Sequence, residues 1–287
     1  QADLDMNVIE TDRGELVEVQ AGAEKNPFSR KDLLGLLKMA DRGVARDARD
    51  PEVRQEGVAV GGMVVAVGAT VGAVLGDGWF RSTLGWSSNW AIYGKKLGLF
   101  MQLRIKYTDG TESLIITDGT WKCNNNGAIR MSDVYNGETY DATKKLTGWN
   151  MPGFDEKGWQ TANTAEYKFN LVASEGAPIR KIEEIKPVKV FRSPKGSLLV
   201  DMGQNMVGWV RLTVSGPRGT TVKIRHAEVL DKYGEFYTAN LRSAKCELNY
   251  TLAGTGEEVY EPRFTFMGFR YLEVTGFPGT LSPANIT

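Results

Sequence analysis

The sequence predicts a mainly β protein: two tandem antiparallel β-sandwich, jelly-roll-like domains behind a short α+β N-terminal fragment. Three observations lead there. The chain has 287 residues, enough for about two domains of roughly 100 to 150 residues. Its 33 glycines and 10% aromatics outweigh 10 prolines, the texture of short strands joined by tight turns. After Gly43 no long helical periodicity appears. Strand-turn-strand units instead recur every eight to twelve residues or so, the rhythm of sandwiches rather than of a Rossmann sheet or a helix-lined barrel.

Taken in order, residues 1–56 stand apart. Leu4 to Val8 and Leu16 to Val19 read as strands around the turn Thr11-Asp12-Arg13-Gly14. A helix follows, with Ser29 as N-cap, an apolar face of Leu33, Leu34, Leu36, Leu37 and Ala40, and its end near Gly43. Asp41 to Glu56, rich in Arg, Asp and Glu, reads as a solvated linker or fraying helix. The uncharged run Gly57 to Gly76 is long enough for a membrane helix. Six glycines and many valines instead favour buried strands. Val71 to Leu75 is therefore expected as a buried strand entering Gly76-Asp77-Gly78-Trp79. Val58 to Val67 should be a second strand or an irregular crossing, with no membrane contact.

Leu103 to Tyr107 and Ser113 to Ile116 form a hairpin around Thr108-Asp109-Gly110-Thr111. Further strands are expected at Ser197 to Val200, Val207 to Val214, Thr221 to His226, Cys246 to Leu252 and Phe269 to Val274. A Trp-rich stretch gives way near Lys186-Pro187 to a tighter strand rhythm, which marks a domain boundary. The expected division is 1–56, 57–186, 187–280 and a terminal stretch 281–287.

Composition narrows the chemistry. Thirty-five basic residues balance 35 acidic ones, so no global field draws a polyanion and no nucleic-acid partner is expected. Cys123 and Cys246 stand far apart and outside any CxxC pair, which gives neither a zinc site nor a disulfide framework. The single histidine, His226, removes most Ser-His-Asp arrangements. Gln1 to Asp5 carries no signal-peptide pattern, and cytoplasm and periplasm both stay open.

Two resemblances add to this. Residues 2–44, with D-M-N-V, V-E-V-Q and P-F-S-R, resemble the C-terminal part of ribonuclease PH. That likeness would put Asp5 near a divalent metal, but an isolated Asp cannot position one, so an inactive fragment is expected. Residues 75–280 are more specific. L-G-D-G-W-F at 75–80, T-D-G-T-W-K at 117–122, Y-N-G-E-T-Y-D-A at 135–142 and G-F-D-E-K-G-W at 153–159 resemble the N-terminal carbohydrate-binding-like domain of bacterial α-L-rhamnosidases of glycoside hydrolase family 78. V-D-M-G-Q-N-M-V-G-W at 200–209, R-H-A-E-V-L at 225–230 and G-F-R-Y at 268–271 are similar to the concanavalin-like sandwich that follows it. Met267 stands where the family usually has His.

The resemblance implies galactose-binding-like and concanavalin-like β-sandwiches. It also implies a parent that releases terminal α-L-rhamnose with inversion through an (α/α)6 catalytic domain in cis, absent from this chain, with 281–287 leading toward it. No catalytic residue is then expected here, and the partner is a rhamnose-containing glycan. The implied carbohydrate site is Asn136, Gly137 and Glu138 with Trp159 as a stacking platform, and the implied calcium ligands are Asn136, Glu138 and Asp141, joined on the same loop by Asp133. Calcium suits such an oxygen-rich loop; a turn held by side-chain hydrogen bonds to backbone N–H groups is the favoured reading. His226 and Glu228, with Asp231, have acid-base potential, but cross-strand bonding is the favoured role. Asp201 and Gly203-Gln204-Asn205 read as a turn, and Arg242 and Arg270 as residues of an interface with the absent domain.

Overall fold

The computed structural model describes residues 4–10, 16–23, 62–67, 70–85, 89–106, 112–165 and 179–287. The protein is mainly β, as expected. Its chain divides into two compact units, each discontinuous: Gln1–Leu75 with Gly98–Asn125 and Thr147–Gly176, and Gly76–Leu97 with Asn126–Leu146 and Ala177–Thr287.

The first unit is described as antiparallel strand pairs: Leu4–Glu10 with Leu16–Ala23, Gly62–Val67 with Thr70–Leu75, Gln102–Lys106 with Glu112–Ile116, and Lys122–Cys123 with Gln160–Thr161. The apolar run is thus a hairpin, with Val67 opposite Thr70. Among the described residues no helix is long and apolar enough to cross a membrane. One expectation changes: Val71 to Leu75 are half-buried rather than buried, because one two-stranded ribbon cannot enclose both its faces. Trp149 lies against the bare Cα of Gly72, where a Cβ would overlap its ring. The helix expected from Ser29 to Gly43 and the linker after it lie outside the described residues.

The second unit is built on a seven-stranded sheet in the order Ile129–Asp133, Gly137–Asp141, Glu247–Thr251, Thr221–Ala227, Met267–Thr275, Leu198–Gly208, Lys189–Arg192. The sheet takes two strands from ahead of Lys186-Pro187 and five from beyond it. All its pairings are antiparallel except that of Gly137–Asp141 with Glu247–Thr251. Period-two alternation explains the inner face. Val222, Ile224 and His226 point inward from one strand, as do Leu248 and Tyr250 from the next, while Lys223 and Arg225 face outward onto Glu247 and Glu273. The ribbon Leu212–Ser215 with Glu257–Tyr260 supplies Leu212, Val214 and Tyr260 to the same core. Each fully buried aliphatic side chain there contributes about 1.5–3 kcal/mol relative to exposure.

Three boundaries differ from expectation. Val207 belongs to the long strand Leu198–Gly208, and Leu212–Ser215 is a separate strand. The apolar run Val207 to Val214 conceals that break, because Trp209 and Val210 keep it hydrophobic. Residues 281–287 pack into the unit as well: Leu281 and Ile286 are buried, and Ile286 bridges to Leu212. The N-G-E-T-Y-D segment, expected as a loop, is after Asn136 the interior strand Gly137–Asp141. Its first residue, Gly137, has φ +100°, and a Cβ there would overlap the Glu247 carbonyl oxygen. This glycine is therefore a packing requirement of the parallel pairing. Gly137→Ala should cost about 3 kcal/mol or more through strain and a lost close approach, measurable as a fall in the urea midpoint.

Candidate functional site

Asp133, which ends the strand Ile129–Asp133, is buried and holds three backbone amides. Its Oδ1 accepts from Tyr135 N at 2.9 Å and Asn136 N at 2.8 Å, and its Oδ2 accepts from Thr83 N at 2.8 Å. Asn136 is equally committed. Its Nδ2 donates to Thr83 Oγ1 at 3.3 Å, its Oδ1 accepts from Lys245 N at 3.2 Å, and its carbonyl accepts from Glu247 N at 3.1 Å.

Glu138 has no exposed surface. Tyr260 Oη donates to its Oε1 at 2.9 Å and Arg263 N to its Oε2 at 3.1 Å. Burial pushes its carboxyl above the usual range, and those two donors pull only partly the other way. Three tyrosine rings stand beside it: Tyr250 stacks on Tyr260 at 4.6 Å, and Tyr140 sits 5.7 Å from Tyr250 and 5.4 Å from Tyr260. Across that stack Tyr250 Oη donates to Glu258 at 2.7 Å. Asp141 caps a 3-10 turn, its Oδ1 accepting from Thr143 N at 3.0 Å and Thr143 Oγ1 at 2.6 Å.

The residues implied as calcium ligands therefore do not fit a calcium ion. Calcium needs six to eight oxygens near 2.3–2.6 Å around one point. Here Glu138 turns into an aromatic core, while Asn136 and Asp141 spend their oxygens on neighbouring amides and hydroxyls. Among the described residues no group of three or more His, Cys, Asp or Glu side chains could hold a metal. Trp159 belongs to the other compact unit, where it is half-buried with Phe154 edge-on at 5.8 Å.

The remaining candidates are structural. His226 is fully buried, and its Nδ1 donates to the Cys246 carbonyl at 2.8 Å, the same oxygen that accepts from its backbone N–H at 3.0 Å. Its Nε2 has no hydrogen-bond partner, and Phe269 stands edge-on at 4.8 Å. Burial lowers its pKa from 6.5 to about 4. Burial and nearby Glu228 push the Cys246 thiol up to about 11, so these neighbours form no thiolate-imidazolium pair at neutral pH. Glu228 accepts from Asn240 Nδ2 at 2.9 Å, and Asp231 caps Tyr233 N and Glu235 N, each at 2.8 Å. Asp201 receives both arms of Arg270, at 2.9 and 3.0 Å, and Gly203 N at 2.7 Å. That bidentate pair holds the Asp201 carboxyl below its usual range. Gly203, Gln204 and Asn205 lie where the strand Leu198–Gly208 bulges, its register with Met267–Thr275 shifting between Asp201 and Met206 and Gly203 at φ +85°. Arg242 ends a short 3-10 helix at φ +59°. Met267 is buried, its Cε facing the space a Gly137 Cβ would enter. Sequence alone missed Tyr260, Arg263 and Glu258 as partners of this network; only the alternation of Tyr250 and Tyr260 hinted that they face inward.

Residues 191–287 match the bacterial α-L-rhamnosidase concanavalin-like domain, and residues 55–183 match the α-L-rhamnosidase N-terminal domain. Residues 55–183 and 191–287 are thus two consecutive domains of the bacterial α-L-rhamnosidase type. An α-L-rhamnosidase of Streptomyces avermitilis is 46% identical over 217 residues, 75% of this chain and 21% of that protein. Its crystal structure, a complex with L-rhamnose, superposes with a TM-score of 0.72 at 45% identity, covering 75% of this chain and 21% of the other. The native α-L-rhamnosidase of Aspergillus terreus gives a TM-score of 0.72 at 37% identity, covering 75% and 25%. The chain spans about a fifth of the length of the curated rhamnosidase it matches. A ribonuclease PH of Synechococcus elongatus is 54% identical over 46 residues, 16% of this chain and 19% of that protein.

Two outcomes follow from the site. Glu138→Ala strands the Tyr260 hydroxyl and the Arg263 amide, so it should cost about 2–4 kcal/mol. Added calcium should leave the melting temperature of parent and variant unchanged, and a calcium-dependent rise in the parent that the variant lacks would restore the ligand role. His226 contributes to the response at mildly acid pH. The unfolded chain takes up a proton below pH 6.5 that the fold resists until about pH 4, so the His226 contribution lowers stability across that window by up to about 3 kcal/mol and adds nothing below it, where the depressed carboxylates of Asp201 and Glu258 take over. Urea midpoints of the parent and His226→Gln should diverge in pH dependence between those limits; parallel curves would refute the assignment.

Proposed function

We propose that this chain is the non-catalytic β-domain portion of an α-L-rhamnosidase whose whole length releases terminal α-L-rhamnose from glycosides with inversion. The observation that carries this reading is the consecutive match of two rhamnosidase domains, N-terminal then concanavalin-like, over residues 55–183 and 191–287. The geometry agrees. Inverting hydrolysis needs two carboxyl groups roughly 6.5–9.5 Å apart with a water between them. Glu138 and Glu258 are instead sealed under tyrosine hydroxyls, and Asp133, Asp141, Asp201 and Asp231 are occupied by backbone amides.

The hydrolytic carboxylates would lie in an (α/α)6 domain of the full-length enzyme, against which these β domains serve as scaffold. The substrate of that enzyme would be a rhamnose-containing glycoside. The stretch similar to ribonuclease PH contributes no phosphorolysis in this reading. Incubated alone with an aryl α-L-rhamnoside, the chain should release aryl alcohol no faster than buffer. Turnover that follows the purified chain through two chromatographic steps would overturn the proposal.

A further inference from the structure

A segment of the second unit exposes aromatic side chains on a framework built to hold them still. Trp79 is 57% exposed, Trp90 53% and Tyr93 68%. Exposed apolar side chains mark an interaction surface where they are gathered in one segment rather than scattered. Their backbone is pinned from beneath. Thr83–Leu84 pairs with Asn89–Trp90, and the Asp133 carboxylate takes the Thr83 amide. Buried Ser82 accepts from Val134 N at 3.0 Å, and Ser132 accepts from Asp77 N at 3.1 Å. Phe80 packs where a Gly94 Cβ would stand.

A cation stands beside Trp90. The Arg81 guanidinium lies 5.9 Å from the Trp90 centroid, its Nη1 donates to the Lys95 carbonyl at 3.4 Å, and its Nε meets Asp77 at 2.7 Å. Asp77, with the Asp133 carboxylate close enough to act on it, offsets Arg81, so three cations face two carboxylates here. The exposed side chains of Lys95 and Lys96 leave this corner positive on a chain of zero net charge.

We infer that Trp90, Tyr93, Arg81, Lys95 and Lys96 form a binding platform for an acidic glycan, a saccharide chain carrying carboxylates. A sugar ring offers an apolar C–H face to an indole, and a uronate offers a charge to lysine within one residue's reach. Arg81 stands beside the Trp90 ring, exposed Lys95 and Lys96 follow Tyr93 in the sequence, and Ile92 is the one exposed aliphatic side chain among residues 89–96, a mix of rings and charges that suits that alternation better than a protein interface core. Trp79, edge-on to Tyr135 at 6.4 Å, extends the aromatic surface. The choice of a glycan among anions rests on the rhamnosidase reading; the platform's positive charge and exposed rings do not.

The test is titration of the full chain with oligogalacturonate, followed by tryptophan fluorescence and calorimetry, beside a neutral malto-oligosaccharide of equal length and an oligothymidylate. Binding is expected for the galacturonate only, weakened severalfold by molar salt. Trp90→Ala and, separately, Lys95→Glu with Lys96→Glu should each weaken it by about tenfold or more. All three side chains are exposed, so both variants should keep the parent's melting temperature, and the lysine pair gives the answer if the Trp90 variant does not fold. Equal affinity for the neutral glycan, binding of the oligothymidylate as tight as that of the galacturonate, or no binding at all would each overturn the proposal. So would concentration-dependent dimers in sedimentation that Trp90→Ala dissolves, since the platform would then be a self-association face. Hydrolysis of an aryl rhamnoside is a separate readout, so a failure of this inference and a failure of the proposed function are told apart.

Discussion

An ionisable side chain with no contact to water must be held by donors or it unfolds what surrounds it, and in the larger β unit that side chain is Glu138. It sits opposite Leu248 in the parallel pairing, where the pleat points both inward. One strand of that pair comes from the middle of the chain and the other from more than a hundred residues later, so closing the pair has a large loop-entropy cost. The Tyr260 hydroxyl and Arg263 amide that reach the carboxylate come from the strand Glu257–Tyr260 and the turn after it. Three separated pieces of chain therefore meet at one residue. The charge is satisfied only when all three are in place, which ties local pairing to global topology.

Glu258 stands across the tyrosine stack from Glu138 and shows the contrast. It too is largely shielded from solvent, and burial pushes its carboxyl upward. The amides of Ala253, Gly254 and Thr255 and the Tyr250 hydroxyl outweigh that push, and its carboxyl stays below the ordinary range. Glu138 has half as many donors and moves the other way. Two glutamates a stack of rings apart thus carry opposite shifts: deep burial prevails at Glu138, and four donors prevail at Glu258. Tyr260, buried beside Glu138, is raised well above its ordinary value and stays a donor throughout.

Much of this fold was legible because burial writes a period of two into a strand. Thr221 to Ala227 and Glu247 to Thr251 alternate cleanly, and the hairpin at 102–116 announced itself by its turn. Gly137 to Asp141 was not legible as an interior strand, since a buried Glu and a capping Asp break the apolar pattern that marks one. The same polarity made the segment look like a ligand loop. Strand order was hidden as well: nothing local in Tyr140 indicates that its partner is Tyr250, because the pairing depends on a parallel crossover rather than on a turn. The family resemblance carried the architecture, while the oxygens of Asn136, Glu138 and Asp141, implied as calcium ligands, are spent on neighbouring donors.

That count suggests how to read such segments. An aspartate followed two or three residues later by an amide it can reach tends to fold back on its own chain. Asp118 on Thr120, Asp133 on Tyr135 and Asn136, Asp141 on Thr143, Asp155 on Lys157, Asp201 on Gly203 and Asp231 on Tyr233 all do so. Each such bond removes a lone pair that a cation would need and fixes the carboxylate's direction along the backbone rather than into a shared cavity. An acidic loop in this protein is therefore a frame. What a frame holds outward is where recognition belongs, and Asp133, which takes amides from both Thr83 and its own turn, stands beneath the segment that carries the exposed tryptophans.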